Sequence, residues 1–302
     1  MTEAAQLRAL LKAAGMAGGM PGGMIVAPGA YDGLTARLVE QAGFPAVYMT
    51  GAGTAVAAGY PDFGLLTMTE MVANAARLVR SVSVPVIADA DTGYGNELNA
   101  FRAVQEYERC GVAGIHIEDQ VSPKRCGHLD RKEIVPCDDW IAKLRAACAA
   151  RRSSDFVVIA RTDARAVAGF EEAVARANAA LEAGADLAFL EAPETLEEVA
   201  AVPRLVHGPC LLNVVHRGRT PALDLCAAER MGYRMAIVPG LLFKAAIAAC
   251  DTALAALAAT HRHPEGPTDM TVRQAFDRVG GAEWDALRTR FRDPVPASHA
   301  AE

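Results

Sequence analysis

Five consecutive residues, Lys124-Arg125-Cys126-Gly127-His128, set a thiol among cations with a glycine to turn the backbone, six residues after a segment ending in Glu118. Reactive thiols sit in accessible, electropositive surroundings, so the run predicts a mobile loop that delivers a proton or accepts a carboxylate. A free thiol is mostly protonated near neutrality and serves as an acid, while Lys124 and Arg125 are expected to pull its pKa down.

Acids recur at two-residue spacing elsewhere: Asp89 with Asp91, His116 with Glu118, Arg161 with Asp163. Side chains alternate across a strand, so each pair shares a side if its segment is extended. Two aspartates and a glutamate meeting at one point repel one another unless a cation lies between them. Their all-oxygen character suits Mg²⁺ or Mn²⁺ rather than zinc. Helix capping is the plainer role for such acids, but it accounts for one or two of them, not for Asp-Ala-Asp, His-Ile-Glu and Arg-Thr-Asp in succession.

The elements that must position these groups are short apolar runs alternating with helical patterns. Eight strands are predicted: Met24–Ala27, Ala46–Thr50, Pro85–Ala90, Gly114–Glu118, Phe156–Arg161, Leu187–Glu191, Cys210–Val214 and Met235–Pro239. Gly43, Gly111, Gly184 and Gly232 each close a helical pattern, and seven residues later stand Thr50, Glu118, Glu191 and Pro239. Glycine enters the left-handed region at no Cβ penalty, so each reads as a helix stop before a strand. Helices are predicted at Thr69–Val82, Asn99–Cys110, Asp138–Arg151, Gly169–Ala183 and Leu241–Ala259, with apolar residues at three- and four-residue spacing. Eight βα units point to an α/β fold of the (β/α)8 barrel class over residues 1–260, with chemistry at the C-terminal strand ends. A Gly- and Met-rich loop at 15–24 leads into the first strand. A polar stretch, His261–Asp269, separates the barrel from two short amphipathic helices in a 261–302 tail that needs a surface to cover.

The bulk numbers bound the rest. The chain has 302 residues, 52% hydrophobic and 22% charged, enough for a sizeable core. A net charge of -6 argues against a nucleic-acid partner and leaves a small anionic substrate held by local cations or a metal. Seven cysteines without a C-x-x-C pair fit neither a disulfide scaffold nor a structural zinc site, and indicate a reducing compartment. Residues Thr2–Ala14 lack the basic start and long apolar stretch of a leader, and no run of about 18 apolar residues is expected to span a membrane. These features place the protein in the cytoplasm.

Together the segments Tyr48-Met49-Thr50-Gly51, Tyr60-Pro61-Asp62, Asp89 to Gly95, Ile115 to Gln120, Lys124 to His128, Ala160 to Ala164 and Glu191-Ala192 resemble the isocitrate lyase and phosphoenolpyruvate mutase superfamily. The likeness spans roughly residues 24–260 and is strongest to its methylisocitrate lyase and 2-alkylmalate (dimethylmalate) lyase branch. The resemblance implies a homotetramer of barrels that exchange their last helices. It implies Mg²⁺ held directly by Asp89 and through water by Asp62, Asp91 and Glu118. Backbone groups around Thr50, Gly51 and Ala52 would hold a 2-oxo acid carboxylate, Arg161 would contact the oxygen on the breaking carbon, and Tyr48 would help remove the hydroxyl proton. Gly127, His128 and Asn213 would bind the departing carboxylate, with His116, Glu191 and His216 also on the substrate side. Cys126, with Lys124 beside it, would protonate the carbanion.

The run Asn213-Val214-Val215-His216-Arg217-Gly218 departs from the Asn-Ile-Thr-Glu-Phe-Gly typical of methylisocitrate lyases, and Pro239-Gly240 from the commoner Pro-Leu-Ser or Pro-Leu-Thr. The first of these changes falls where the second half of a substrate is recognised. The expected activity is Mg²⁺-dependent cleavage of a 2-hydroxy di- or tricarboxylate to a 2-oxo acid and a carboxylic acid. The alternatives are carboxyphosphonoenolpyruvate or phosphonopyruvate mutase or hydrolase chemistry, oxaloacetate decarboxylation, and a non-catalytic assembly or binding barrel.

Overall fold

The computed structural model describes residues 1–16, 23–264 and 270–292. Most of the predicted 15–24 loop, and the end of the 261–269 stretch, lie outside the described residues.

Eight parallel strands, β1 (Ile25–Ala30), β2 (Val47–Met49), β3 (Val86–Asp89), β4 (Gly114–Glu118), β5 (Val157–Thr162), β6 (Leu187–Leu190), β7 (Cys210–Asn213) and β8 (Met235–Val238), close into a barrel in sequence order. All eight predicted strands are present. β1 runs further than its apolar pattern indicates, because Pro28 pairs with Val238 despite lacking an N–H. The four stop glycines have φ of +86°, +95°, +107° and +106°, as the helix-end reading requires.

Helix α1 (Glu3–Met16) precedes the barrel, and α2 (Gly33–Gln41), α3 (Gly51–Ala57), α4 (Met68–Ser81) and α5 (Glu97–Cys110) follow the first three strands. Then come α6 (Cys137–Ala150), α7 (Ala164–Ala168), α8 (Phe170–Glu182), α9 (Leu196–Leu205) and α10 (Leu225–Met231). Last are α11 (Leu241–Thr260), α12 (Val272–Asp277) and α13 (Gly281–Arg292). The buried faces of α2 to α10 pack on the outside of the strands, while alternate strand residues and the residues leading into them fill the interior: Ile25, Ala46, Val157, Leu187 and Met235 form its lower level. Leu7 of α1 joins that level and is fully buried. Arg8 bonds the Ser154, Asp155 and Phe156 carbonyls and Asp186, so the N-terminal segment is the barrel's floor.

The chain divides into two compact units, Met1–Ile247 and Ala248–Glu302, the break falling within α11. α11 corrects one expectation. It is 20 residues long with a mean hydropathy of 1.7, long and apolar enough by length and composition to cross a membrane, because only Lys244 and Asp251 interrupt its Ala/Leu run. None of its residues is buried.

Candidate active site

The interior columns that begin in apolar residues end in polar ones. Along β3 the column is Ile87, Asp89; along β5 Ile159, Arg161; along β6 Leu187, Phe189, then Glu191; along β7 Leu211, Asn213. Strand register sets Asp89 beside His116 and Glu118 beside Arg161. A one-residue slip would send these side chains to the opposite face. No acid of the three pairs caps the helix that follows it through its side chain; Asp163 stands at the start of α7 without such a bond, and Asp89 reaches the first N–H of α3 only from a distant strand. The capping alternative therefore fails.

Asp89 is the best-held acid, accepting from Asp91 N at 2.9 Å, Gly51 N at 3.2 Å and Tyr48 Oη at 3.4 Å. Burial alone would raise its pKa, but His116, Lys124 and Arg161 outweigh it and hold the carboxyl well below the ordinary range. Tyr48 Oη lies 2.8 Å from His116 Nε2. Burial, then Asp89, pushes the Tyr48 phenol well up, and burial pushes His116 down to about 4, leaving its imidazole neutral. Arg161 reaches Glu118 at 2.9 Å, Asp163 at 3.0 Å and Glu191 at 3.7 Å, which keeps it cationic in spite of burial.

The loop after β4 folds over this cluster. Gln120 bridges to Ile134, and its side-chain amide grips the Arg125 backbone at both ends, at 2.8 and 3.0 Å. Lys124 turns inward to Asp62 at 2.5 Å and Asp91 at 3.0 Å. Arg125 turns away onto the Phe63 ring. These two turns overturn the expected lowering at Cys126: burial first, then Asp62, pushes the thiol up to about 11, and Lys124 opposes this only weakly because it is spent on the acids. At Gly127 a Cβ would stand 2.2 Å from Glu191 Oε1 and 2.5 Å from Arg161, so only glycine lets the loop tip come this close. His128 Nδ1 accepts from Arg219 N at 3.1 Å, which leaves Nε2 to carry the ring proton toward Glu191 Oε1 at 3.3 Å. Asn213 Nδ2 donates to both Glu191 oxygens, at 3.2 and 3.1 Å.

A cavity of about 260 Å³ lies between strand ends and loop. Of the predicted site residues, Tyr48, Thr50, Ala52, Asp62, Asp89, Cys126, Gly127, His128, Arg161, Glu191 and Asn213 line it. Lys124, Asp91 and Glu118 stand behind that wall, and Gly51 contributes its N–H to Asp89. Two substrate-side expectations are corrected. His116 is fully buried beneath Tyr48 and supports it without lining the cavity. His216 is exposed and faces a neighbouring hollow, because the backbone turns out after Val215 and its carbonyl is taken by Lys244. Sequence reasoning missed Leu129, Phe189, Arg217, Phe243 and Lys244 on the wall. Phe189 was accessible by the two-residue rule from Glu191; the others carry no local signal.

The acid cluster tests well for a hard cation. Asp91 Oδ1 and both Glu118 carboxylate oxygens are buried without a hydrogen bond of good geometry, although Lys124 and Arg161 lie close. Burial pushes Asp91 up to about 6 against the pull of Lys124. Among the described residues no three His, Cys, Asp or Glu side chains converge to hold an ion by themselves. Buried carboxylate oxygens left without partners form an all-oxygen donor set that suits a hard cation such as Mg²⁺.

A (β/α)8 barrel with a cationic, acid-ringed cavity at the C-terminal strand ends, covered by a thiol-bearing loop, defines an enzyme of carboxylate chemistry. Residues 19–258 match the phosphoenolpyruvate phosphomutase family. The chain is 48% identical over 240 residues to the 2,3-dimethylmalate lyase of Eubacterium barkeri, covering 79% of this chain and 80% of that one. It is 45% identical over 231 residues to the 2-methylisocitrate lyase of Aeropyrum pernix, covering 76% and 74%. The crystal structure of a 2,3-dimethylmalate lyase superimposes with a TM-score of 0.90 at 42% identity, over 98% of this chain and 99% of that one. The chain belongs to the phosphoenolpyruvate phosphomutase family, within the isocitrate lyase superfamily, and is a carbon–carbon lyase.

Proposed function

We propose that the enzyme cleaves the C2–C3 bond of a 2-alkylmalate-type 2-hydroxy acid, releasing a 2-oxo acid and a carboxylic acid. The observation that carries this reading is the half-buried Cys126 thiol on the cavity wall, where burial and Asp62 raise its pKa to about 11 and so favour the protonated form. Mg²⁺, or Mn²⁺ in its place, held by Asp89 with Asp62, Asp91 and Glu118, would supply electrostatic stabilisation of the developing oxyanions. Tyr48 stays a phenol, so its part is to relay the hydroxyl proton: its oxygen takes that proton while its own passes to His116 Nε2, 2.8 Å away, and His116 gives it up through Tyr48 to solvent when the product leaves. As the C2 carbonyl forms, Arg161 steadies its oxygen, and the C2–C3 electron pair passes to the departing carboxylate fragment. Gly127, His128 and Asn213 hold that fragment, and Cys126 Sγ gives its proton to the new carbanion. The thiolate left behind recovers a proton from solvent when the loop opens.

The lining includes apolar residues that suit an alkyl-bearing arm: Leu129, Val215, Pro239 and Phe243. Each buried methylene contributes about 0.8 kcal/mol, so such a wall ranks homologous substrates by roughly tenfold steps or less. The working molecule is read as a cytoplasmic homotetramer in which the 261–302 tail covers a neighbouring subunit, with no nucleic-acid or membrane partner. Incubation with Mg²⁺ and 2,3-dimethylmalate, other 2-alkylmalates, 2-methylisocitrate, oxaloacetate and phosphonopyruvate, following 2-oxo acid and phosphate release, tests the reading. The highest kcat/KM is expected for a 2-alkylmalate. Phosphate release, or turnover of oxaloacetate alone, would replace it with phosphonate or decarboxylase chemistry.

A further inference from the structure

Lys132 lies outside the cavity wall, yet its side chain is only 1% exposed. Its ammonium donates to the Gly127 carbonyl at 2.5 Å and to Asp163 Oδ1 at 2.8 Å. Taking an ammonium out of water is costly unless its partners are fixed in good geometry. Here they are fixed: Asp163 accepts from Arg161 Nε at 3.0 Å, and its own N–H donates to Asp119 at 2.8 Å. Asp119 in turn is held by Thr162 at 2.6 Å and Arg176 at 3.1 Å. The anchor therefore belongs to the rigid end of β5, and the group it anchors belongs to the loop tip.

The peptide gripped by Lys132 joins Gly127 to His128, one residue beyond Cys126. On its other side the Gly127 Cα faces Glu191 and Arg161 with no room to spare. We propose that Lys132 is a positioning residue that clamps the closed loop to Asp163, and so sets where Cys126 Sγ stands over the cavity. Because Asp163 also orients Arg161, the clamp links two ends of the reaction. The loop delivering the proton and the guanidinium steadying the 2-oxo oxygen share one carboxylate. Lys124, on the other flank of Cys126, binds Asp62 and Asp91, whose charge a bound cation would claim. Lys132 draws on neither, so its hold on the loop is independent of metal occupancy. This inference rests on the proposed role of Cys126 as proton donor only for its catalytic consequence, not for the clamp itself.

Site-resolved alkylation by iodoacetamide measures the clamp without reference to turnover, because the full-length protein carries internal standards: Cys226 is exposed and Cys210 is buried. In Lys132→Met, labelling of Cys126 is expected to rise at least about tenfold while Cys210 stays protected, and kcat is expected to fall far more than KM changes. Lys132→Arg, which keeps a charged donor, should return both toward wild type. Should Lys132→Met fail to fold, Lys132→Gln carries the same comparison. Unchanged Cys126 labelling in the folded variant, or Cys126 and Cys210 becoming reactive together, overturns the clamp. If Cys126→Ser keeps full turnover while Lys132→Met still unmasks the thiol, the proton-donor reading falls and the clamp stands.

Discussion

A thiol serves as an acid only while it keeps its proton, and at Cys126 burial and the Asp62 carboxylate outweigh the cations beside it. In the proposed role its protonated form is the working one. With the pKa pushed up to about 11, the thiol costs no activity as pH rises until that value is approached. The pH profile of kcat/KM is therefore expected to lack an alkaline limb at the ordinary thiol value of about 8.5, and rapid pH-jump alkylation of Cys126 should show the same delayed ionisation. A limb at about 8.5 that vanishes in Cys126→Ser would show instead a thiol whose burial has no net effect, and one below about 8.5 a thiol tuned by Lys124. The types at the site were legible in sequence because strand periodicity pairs Asp89 with Asp91 and Arg161 with Asp163. Which way Lys124 turns was not, since that depends on Asp62 and Asp91 reaching it from two distant segments. Lys132 was silent for the same reason: a lysine near a loop reads as solvated until Asp163 and the Gly127 carbonyl are seen around it.

The strands were legible as elements because each is a short apolar run, several preceded by a helix-stopping glycine, and the polar residue at the end of most of them marks the working rim of the barrel. What α1 does was not legible, since an Ala/Leu-rich helix says nothing about the surface it covers. Its Leu7 enters the lower level of the barrel interior and its Arg8 ties three β5-proximal carbonyls to Asp186. Leu7→Ala removes a fully buried side chain and is expected to cost about 2–5 kcal/mol of unfolding free energy, read as a lowered urea midpoint at unchanged slope. The site lies at the other end of the barrel, so kcat at moderate temperature should hold. A loss below about 0.5 kcal/mol would mean that α1 rests on the barrel without closing it.

At the scale of the whole molecule, α11 leaves Ile247, Leu254 and Leu257 exposed, and the tail leaves Phe276, Trp284 and Phe291 exposed as well. Apolar area on this scale calls for a covering surface. Other copies of the chain are the proposed cover, and light scattering is expected to return a mass of several chains. Leu254→Glu combined with Leu257→Glu should reduce it toward one. A monomeric wild type that sediments with lipid vesicles would assign α11 to a membrane.

Cleavage of 2,3-dimethylmalate in D2O with Mg²⁺ joins these scales in one measurement. The expected result is pyruvate and propanoate in equal amounts, with one deuteron at the propanoate carbon that was C3. In Cys126→Ser the rate should fall by about 10²–10⁴ while substrate binding persists. Undiminished turnover and deuteration in Cys126→Ser, or no carbon–carbon cleavage of any 2-hydroxy acid by the wild type, would contradict the assignment of this barrel as a lyase with Cys126 as its proton donor.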